Sequence, residues 1–295
     1  MKITILSKID FAGSGLKLCK LIQREGVDCE ILTVKQGTGN PKWNIETPKK
    51  KNRAYIQRRI RESSIIHFKG DWNYTNTWEG FVLPNVKRVQ TFSGSFFRRG
   101  REACVSMPLA EVSAYKANFL SAFTPELCYN ESIKLMELPC LDFKYQFKKK
   151  NKFTVLHIPS TPEKKGSDIV QEAFSLINRK DVELIYCTNI PHNQVMELKK
   201  NCSLYVDQML LPVYGNAAVE AMSFGIPVMN WDEGFYPYAT PVVKPKERTA
   251  RAIAEEIEKY LDWEVLENLS VSTFEYAQKI HGDVGKRWVN IYKKL

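Results

Sequence analysis

Three glycine-containing segments and one embedded carboxylate are the parts of this chain best suited to chemistry. Gly13-Ser14-Gly15 follows an apolar run at residues 3–6 and precedes Leu16, Cys19, Leu21 and Ile22, which recur at helical spacing. A glycine loop between a strand and a helix aims backbone amides beyond the strand, where a phosphate or a sugar can accept from them; a plain tight turn is the alternative. The dinucleotide fingerprint, GxGxxG with an acidic ribose partner, is absent. Ser93-Gly94-Ser95, followed by Arg98 and Arg99, comes after the apolar run at 88–92 and suits an oxygen-rich or anionic ligand, or else a charged surface turn. The third segment runs from Asp207 to Val228; in it Tyr214-Gly215-Asn216-Ala217 opens a helix that carries Glu220 among Ala218, Val219, Ala221 and Met222. A carboxylate in an apolar helix needs a partner, and the diol of a ribose would donate to both of its oxygens.

Positioning these groups requires strands that alternate with helices. Short apolar runs end in turn residues at 29–34, 64–68, 88–92 and 119–123. A charged stretch at 142–152 has no long apolar run and is expected to be a linker. The rhythm then restarts with strands at 153–157, 182–187, 203–207 and 226–230, and with helices at 166–177, 191–200 and 215–224. From Lys246 the chain is expected to be helical, with breaks near Asp262 and Gly282. Such alternation predicts an α/β protein with parallel sheets covered on both faces.

The chain has 295 residues, 44% of them hydrophobic, with 43 Lys+Arg against 33 Asp+Glu for a formal charge of +10. These values exclude a disordered chain and a disulfide miniprotein. Seven cysteines without a CxxC pair fit a reduced, cytoplasmic setting. The N-terminus does not have the pattern of a signal peptide, and no window of about 18 apolar residues exists to span a membrane. Basic residues concentrate in 42–62, where Ile56 and Ile60 are expected to face inward and the arginines outward. That face is either simply solvated or a surface for an anionic acceptor or an acidic membrane. No groove-reading motif accompanies the charge, so nucleic acid is not an expected partner.

The third segment resembles the hallmark of the GT-B glycosyltransferases of the family 4 type, Glu-Gly-Phe-Gly-Leu-Pro-x-x-Glu-Ala-Met-Ala-x-Gly-x-Pro-Val. The chain matches at Gly215, Glu220-Ala221-Met222, Gly225 and Pro227-Val228. Upstream, Val155-Leu156-His157-Ile158-Pro159-Ser160 with Glu163-Lys164-Lys165-Gly166 looks like the loop that this family places near the donor phosphates. The likeness covers most of the chain and is strongest over 153–230. It implies two Rossmann-like domains facing a central cleft, with a C-terminal helix crossing back to the first. The domains would be an acceptor domain at 1–141, joined by a helix at about 275–295, and a donor domain at 142–274.

The same likeness implies a retaining transferase that moves a sugar from a nucleotide-sugar to a saccharide, lipid-linked or protein acceptor. Catalysis would fall to Lys165 and Glu220. Lys164, Ser160, Tyr214, Gly215, Asn216, Ala217 and Glu220 would meet the donor, while Gly13, Ser14, Gly15, Ser93, Gly94, Ser95 and Arg98 would line the first domain's side of the cleft. The chain departs from the pattern at Pro212, where the hallmark has its first glutamate, at Ser160, where the family has an arginine, and at Ser93, where it has a histidine. Asp207-Gln208 and Tyr214-Gly215 are candidate replacement contacts. No Asp-x-Asp pair occurs and the four histidines lack metal-ligand spacing, so transfer without a metal or other cofactor is expected. A non-catalytic nucleotide-sugar-binding protein and a nucleotide-sugar epimerase of the same architecture remain as alternatives. Trp288 is expected to anchor the terminal helix, and its loss to loosen the geometry between the domains.

Overall fold

The computed structural model describes residues 1–35, 53–70, 81–92, 117–123, 125, 128 and 132–295. Ser93, Gly94, Ser95, Arg98 and most of the basic stretch at 42–52 lie outside the described residues. The chain forms two compact units, residues 1–141 with 283–295, and residues 142–282.

The first unit holds a six-stranded, wholly parallel sheet. Its strands are β1 (Lys2–Ile9), β2 (Asp28–Lys35), β3 (Ile65–Lys69), β4 (Lys87–Phe92), β5 (Phe119–Ala122) and β6 (Ile133–Leu135), in the order β2-β1-β3-β4-β5-β6. The order reverses between β1 and β3. Ile3, Ile5 and Leu6 are fully buried, as strands covered on both faces require.

Helix α1 (Ser14–Arg24) follows β1, with its buried face on Leu18, Cys19, Leu21 and Ile22. Helix α2 (Arg53–Arg61) buries Ile56 and Ile60. It also buries Arg59, which departs from the expected all-outward arginine face. The Arg59 guanidinium forks onto both carboxylate oxygens of Asp28 at 3.0 and 2.9 Å and donates to the Ile3 carbonyl at 3.0 Å. Arg53, Arg58 and Arg61 stay exposed.

The second unit holds a four-stranded parallel sheet of β7 (Phe153–His157), β8 (Val182–Tyr186), β9 (Leu204–Val206) and β10 (Val228–Met229), in the order β10-β9-β7-β8. Here the order reverses between β7 and β9, whose register pairs His157 with Val206. Around the sheet run α3 (Pro162–Lys165), α4 (Ser167–Leu176), α5 (His192–Lys200), α6 (Asn216–Met222), α7 (Ala250–Lys259) and α8 (Trp263–His281). Thr249 and Asp262 cap α7 and α8 by accepting from the Ala252 and Glu264 amides, which sets the helix start after Lys246 and the break at Asp262.

Residues 142–152 are not a free linker. The Lys144 and Gln146 amides donate to the carbonyls of Ser223 and Phe224, and the Phe147 ring is buried against Trp263. Tyr145, though partly exposed, adds an edge contact with Phe274 and accepts from Ser270.

The last helix, α9 (Val284–Lys294), belongs to the first unit and packs on α1. Its Tyr292 hydroxyl lies 2.6 Å from Nδ1 of His67, whose Nε2 is 2.7 Å from Thr91 Oγ1. Burial, helped by the nearby Lys69 charge, pulls the His67 pKa from 6.5 to about 3. His67 therefore stays neutral in the fold while the unfolded chain takes up a proton below about pH 6.5. Its contribution to stability is full above that pH and shrinks as pH falls toward 3, by up to about 1.4 kcal/mol per unit. In urea titrations at a series of pH values, the wild type should lose stability below pH 6 faster than His67→Gln. Parallel pH profiles for the two proteins would refute this assignment.

Candidate functional site

In an open parallel sheet, ligands bind beyond the carboxyl ends of the strands where the strand order reverses. In the second unit that place lies between the ends of β7 and β9. The loop after β7 leads into α3, a single turn whose Lys164 and Lys165 amides both donate to the Thr161 carbonyl. It ends at Gly166, whose φ of 71° is left-handed and reverses the chain directly into α4. This turn places Lys165 at the strand ends, while Ser160 and Lys164 point to solvent.

Asp207 directly follows β9. One of its carboxylate oxygens accepts from Lys165 Nζ at 2.5 Å, and the other accepts from the Gly215 amide at 2.8 Å. Lys165 keeps 14% of its side-chain surface exposed and Asp207 keeps none. Lys165, from the loop after β7, and Gly215, at the start of α6, thus meet on one carboxylate. The backbone locks them further, because the Met209 amide donates to the Lys165 carbonyl and the Asp207 amide to the Met229 carbonyl, each at 3.0 Å. Asn216 and Ala217, half-buried, form the first turn of α6, where amides lack an intrahelical acceptor. The Asn216 Oδ1 is buried without a hydrogen-bond partner.

Besides the Gly215 amide, two more of the expected donor contacts have partners inside the protein. Glu220 is buried on α6, but its carboxylate faces α5. Oε2 accepts from Lys199 Nζ at 2.6 Å and Oε1 lies 3.0 Å from His192 Nε2. Lys199 is wholly buried and also lies over the Tyr205 ring, 5.0 Å from its centroid. Glu220 is therefore an ion-paired carboxylate rather than a lone one. Tyr214 turns its ring into the core, stacked 4.5 Å from Tyr236, with its hydroxyl 2.8 Å from that of Tyr276 and 3.2 Å from His281 Nε2. Burial drives the Tyr214 pKa upward, so the hydroxyl stays protonated. His157 is structural as well, fixed between the Val206 carbonyl and Ser167 Oγ, with burial lowering its pKa.

The glycine loop of the first unit sits at that sheet's own reversal point, and it is already filled. Asp10 accepts from the Gly15 and Leu16 amides at 2.7 and 2.9 Å and from Lys69 Nζ at 3.0 Å. Gly13, at φ 63°, turns the chain so that these amides converge on Asp10. A Cβ on Gly15 would come within 2.9 Å of the Asp10 Oδ1 and 2.5 Å of Ile31 Cδ1, so glycine is needed for this close approach. The amides of Gly15 and Leu16 thus serve a carboxylate of the protein itself, in place of the expected phosphate or sugar, and Ser14 is buried at the start of the helix.

Sequence patterns did not point to Asp10, Lys69, Lys199 or His192. Each pairs only through the tertiary fold, and the sole local signal is an acid directly after a strand. Among the described residues, no group of three or more His, Cys, Asp or Glu side chains is placed to hold a metal ion. No helix there is long and apolar enough to cross a membrane.

No protein-family profile matches the sequence, and no curated protein matches it. Solved structures do match, over essentially the whole chain. Sucrose-phosphate synthase from Thermosynechococcus elongatus aligns over 100% of this chain and 99% of its own, at 13% identity and a TM-score of 0.67. HepE from Anabaena, solved with UDP-glucose, aligns over 99% and 100%, at 14% identity and a TM-score of 0.70. A glycosyltransferase from Rickettsia africae aligns over 99% and 98%, at 12% identity and a TM-score of 0.63. At such identities the likeness is one of fold. The chain is an α/β protein of two parallel-sheet units with the GT-B fold.

Proposed function

We propose that the chain transfers a sugar from a nucleotide-sugar bound on the second unit to a saccharide, lipid-linked or protein acceptor. The observation that carries this reading is Lys165, a partly exposed cation held at the reversal point of the second sheet. Sugar transfer breaks the bond between the sugar C1 and the diphosphate oxygen, so negative charge grows on the leaving diphosphate. A pre-positioned ammonium lowers the cost of that charge. Lys165 takes this role, beside the cap residue Gly215 and the first-turn residues Asn216 and Ala217, and with Ser160 and Lys164 at the rim. The lack of an Asp-x-Asp pair supports transfer without a metal, and the likeness to family 4 supports retention of configuration. HepE, of the same fold, was solved with UDP-glucose and also with UDP and glucose, which supports a nucleotide-sugar as donor. The exposed arginines Arg53, Arg58 and Arg61 suit an anionic or membrane-borne acceptor.

Glu220 remains the group proposed to meet the ribose, with its carboxylate held in place by Lys199 and His192. Removing it alone would strand the buried Lys199, so the test replaces the pair with Lys199→Met and Glu220→Gln together. Thermal unfolding is followed with UDP, GDP and ADP and their sugar conjugates, without metal. In the wild type one base should raise stability by about 2.7 kcal/mol at a hundredfold excess over its Kd. The double variant should fold and lose most of that gain. No gain with any nucleotide in the wild type would overturn the donor reading. Binding without release of sugar to any acceptor would favour the non-catalytic alternative, which the proline at position 212 makes a real competitor.

A further inference from the structure

We propose that Asp207 is a positioning residue that sets how tightly Lys165 holds a diphosphate, and so how readily the product leaves. This rests on the donor reading of the second unit. The two units share one device: a carboxylate directly after a central strand that accepts from a lysine ammonium and from backbone amides at the start of the next helix, Gly15 and Leu16 for Asp10 and the cap residue Gly215 for Asp207. In the first unit Asp10 and Lys69 are sealed, with 1% and 0% of their side chains exposed. In the second unit Asp207 is equally buried, but Lys165 reaches the surface. The sealed copy shows what the device does as pure structure: it ends a strand and starts a helix. The open copy does the same while presenting a cation to solvent.

An anion arriving at Lys165 finds the ammonium already engaged, at 2.5 Å, by a carboxylate that cannot swing away. The Asp207 amide is tied to Met229, and its second oxygen to Gly215. The diphosphate therefore shares Lys165 with Asp207 and lies near a fixed like charge. Both effects weaken its binding, while Asp207 keeps Lys165 pointed at the reversal point.

The test uses Asp207→Asn, whose amide oxygen can still accept from Gly215, and Asp207→Ser, a small neutral side chain that removes the charge. Inorganic pyrophosphate and the nucleoside diphosphate that the wild type prefers are titrated calorimetrically. Both variants should bind these ligands about tenfold more tightly than the wild type, the scale expected when one like charge is removed from a partly buried site. In a Lys165→Met background the gain from Asp207→Asn should fall below about twofold, and sugar transfer by Asp207→Asn should slow while its KM drops. A residue that only caps α6 would give unchanged or weaker binding. If folded variants bind diphosphate no more tightly than the wild type, the proposal is overturned. Failure of the wild type itself to bind any nucleoside diphosphate is a separate result, and it removes the donor reading instead.

Discussion

Replacing Lys199 by Met should destabilise the protein by about 3–5 kcal/mol, the cost of breaking a buried ion pair from one side. Lys199 has no exposed side-chain surface and Glu220 keeps 8%. Methionine fills the lysine's volume but leaves the Glu220 carboxylate without the ammonium that faces its Oε2. The carboxylate must then stay charged in an apolar helix or take up a proton, and either costs free energy. Adding Glu220→Gln to Lys199→Met removes both charges and should return most of the lost stability, because a buried pair contributes little net against neutral groups of like size. Urea unfolding of the two single variants and the double variant forms a cycle that measures the coupling. If Lys199→Met lost less than about 1 kcal/mol, the pair would not be the element that holds α5 to α6.

That result bears on the donor site as well. A substitution at Glu220 alone would change binding through stability and through contact at once, and the two effects would be inseparable. The paired variant keeps them apart.

The strands were legible in the sequence because buried parallel strands are plain apolar runs, and each ended in residues that cannot continue one. β6 was not, since Ile133-Lys134-Leu135 is too short to stand out from a loop. The break at Asp262 was legible, whereas the helix start at 249 was blurred because Thr249 acts through a single side-chain hydrogen bond that periodicity does not register. At the site, the resemblance carried Lys165, Gly215 and Glu220, all three on segments flanking the second sheet. The spacing could not carry the partners. Lys199 and Lys200 are adjacent and chemically alike, yet one is wholly buried on Glu220 and the other lies at the surface with Glu197. Asp10 looked like an ordinary turn residue, and Asp207 entered only as a candidate replacement contact for the donor. Their role depends on which lysine the sheet order brings beside them, and that is a property of topology, not of local pattern.

Trp288→Ala should cost the first unit about 3–5 kcal/mol, the usual loss for truncating a fully buried tryptophan. Trp288 is 0% exposed on α9, 4.7 Å between ring centroids from His67, 5.5 Å from Tyr292 and 6.0 Å from Phe119. Its indole nitrogen is buried with no hydrogen-bond partner among the described residues, so the ring stabilises the unit chiefly by packing. Truncation opens a cavity between the helix and β3. It also unsettles Tyr292, whose hydroxyl bonds His67. Trp288→Phe should cost much less, because it keeps an aromatic ring at the site and removes the orphaned donor. The melting transition of the first unit should fall by roughly 10 °C in Trp288→Ala, with residues 283–295 becoming accessible to protease before the rest of the unit. A melting temperature close to that of the wild type, with the C-terminal helix still protected, would mean that Val284, Val289 and the contact of Gly285 with Leu21 hold α9 on α1 without the tryptophan. In that case the helix docks by close backbone approach, and the indole merely fills the space behind it.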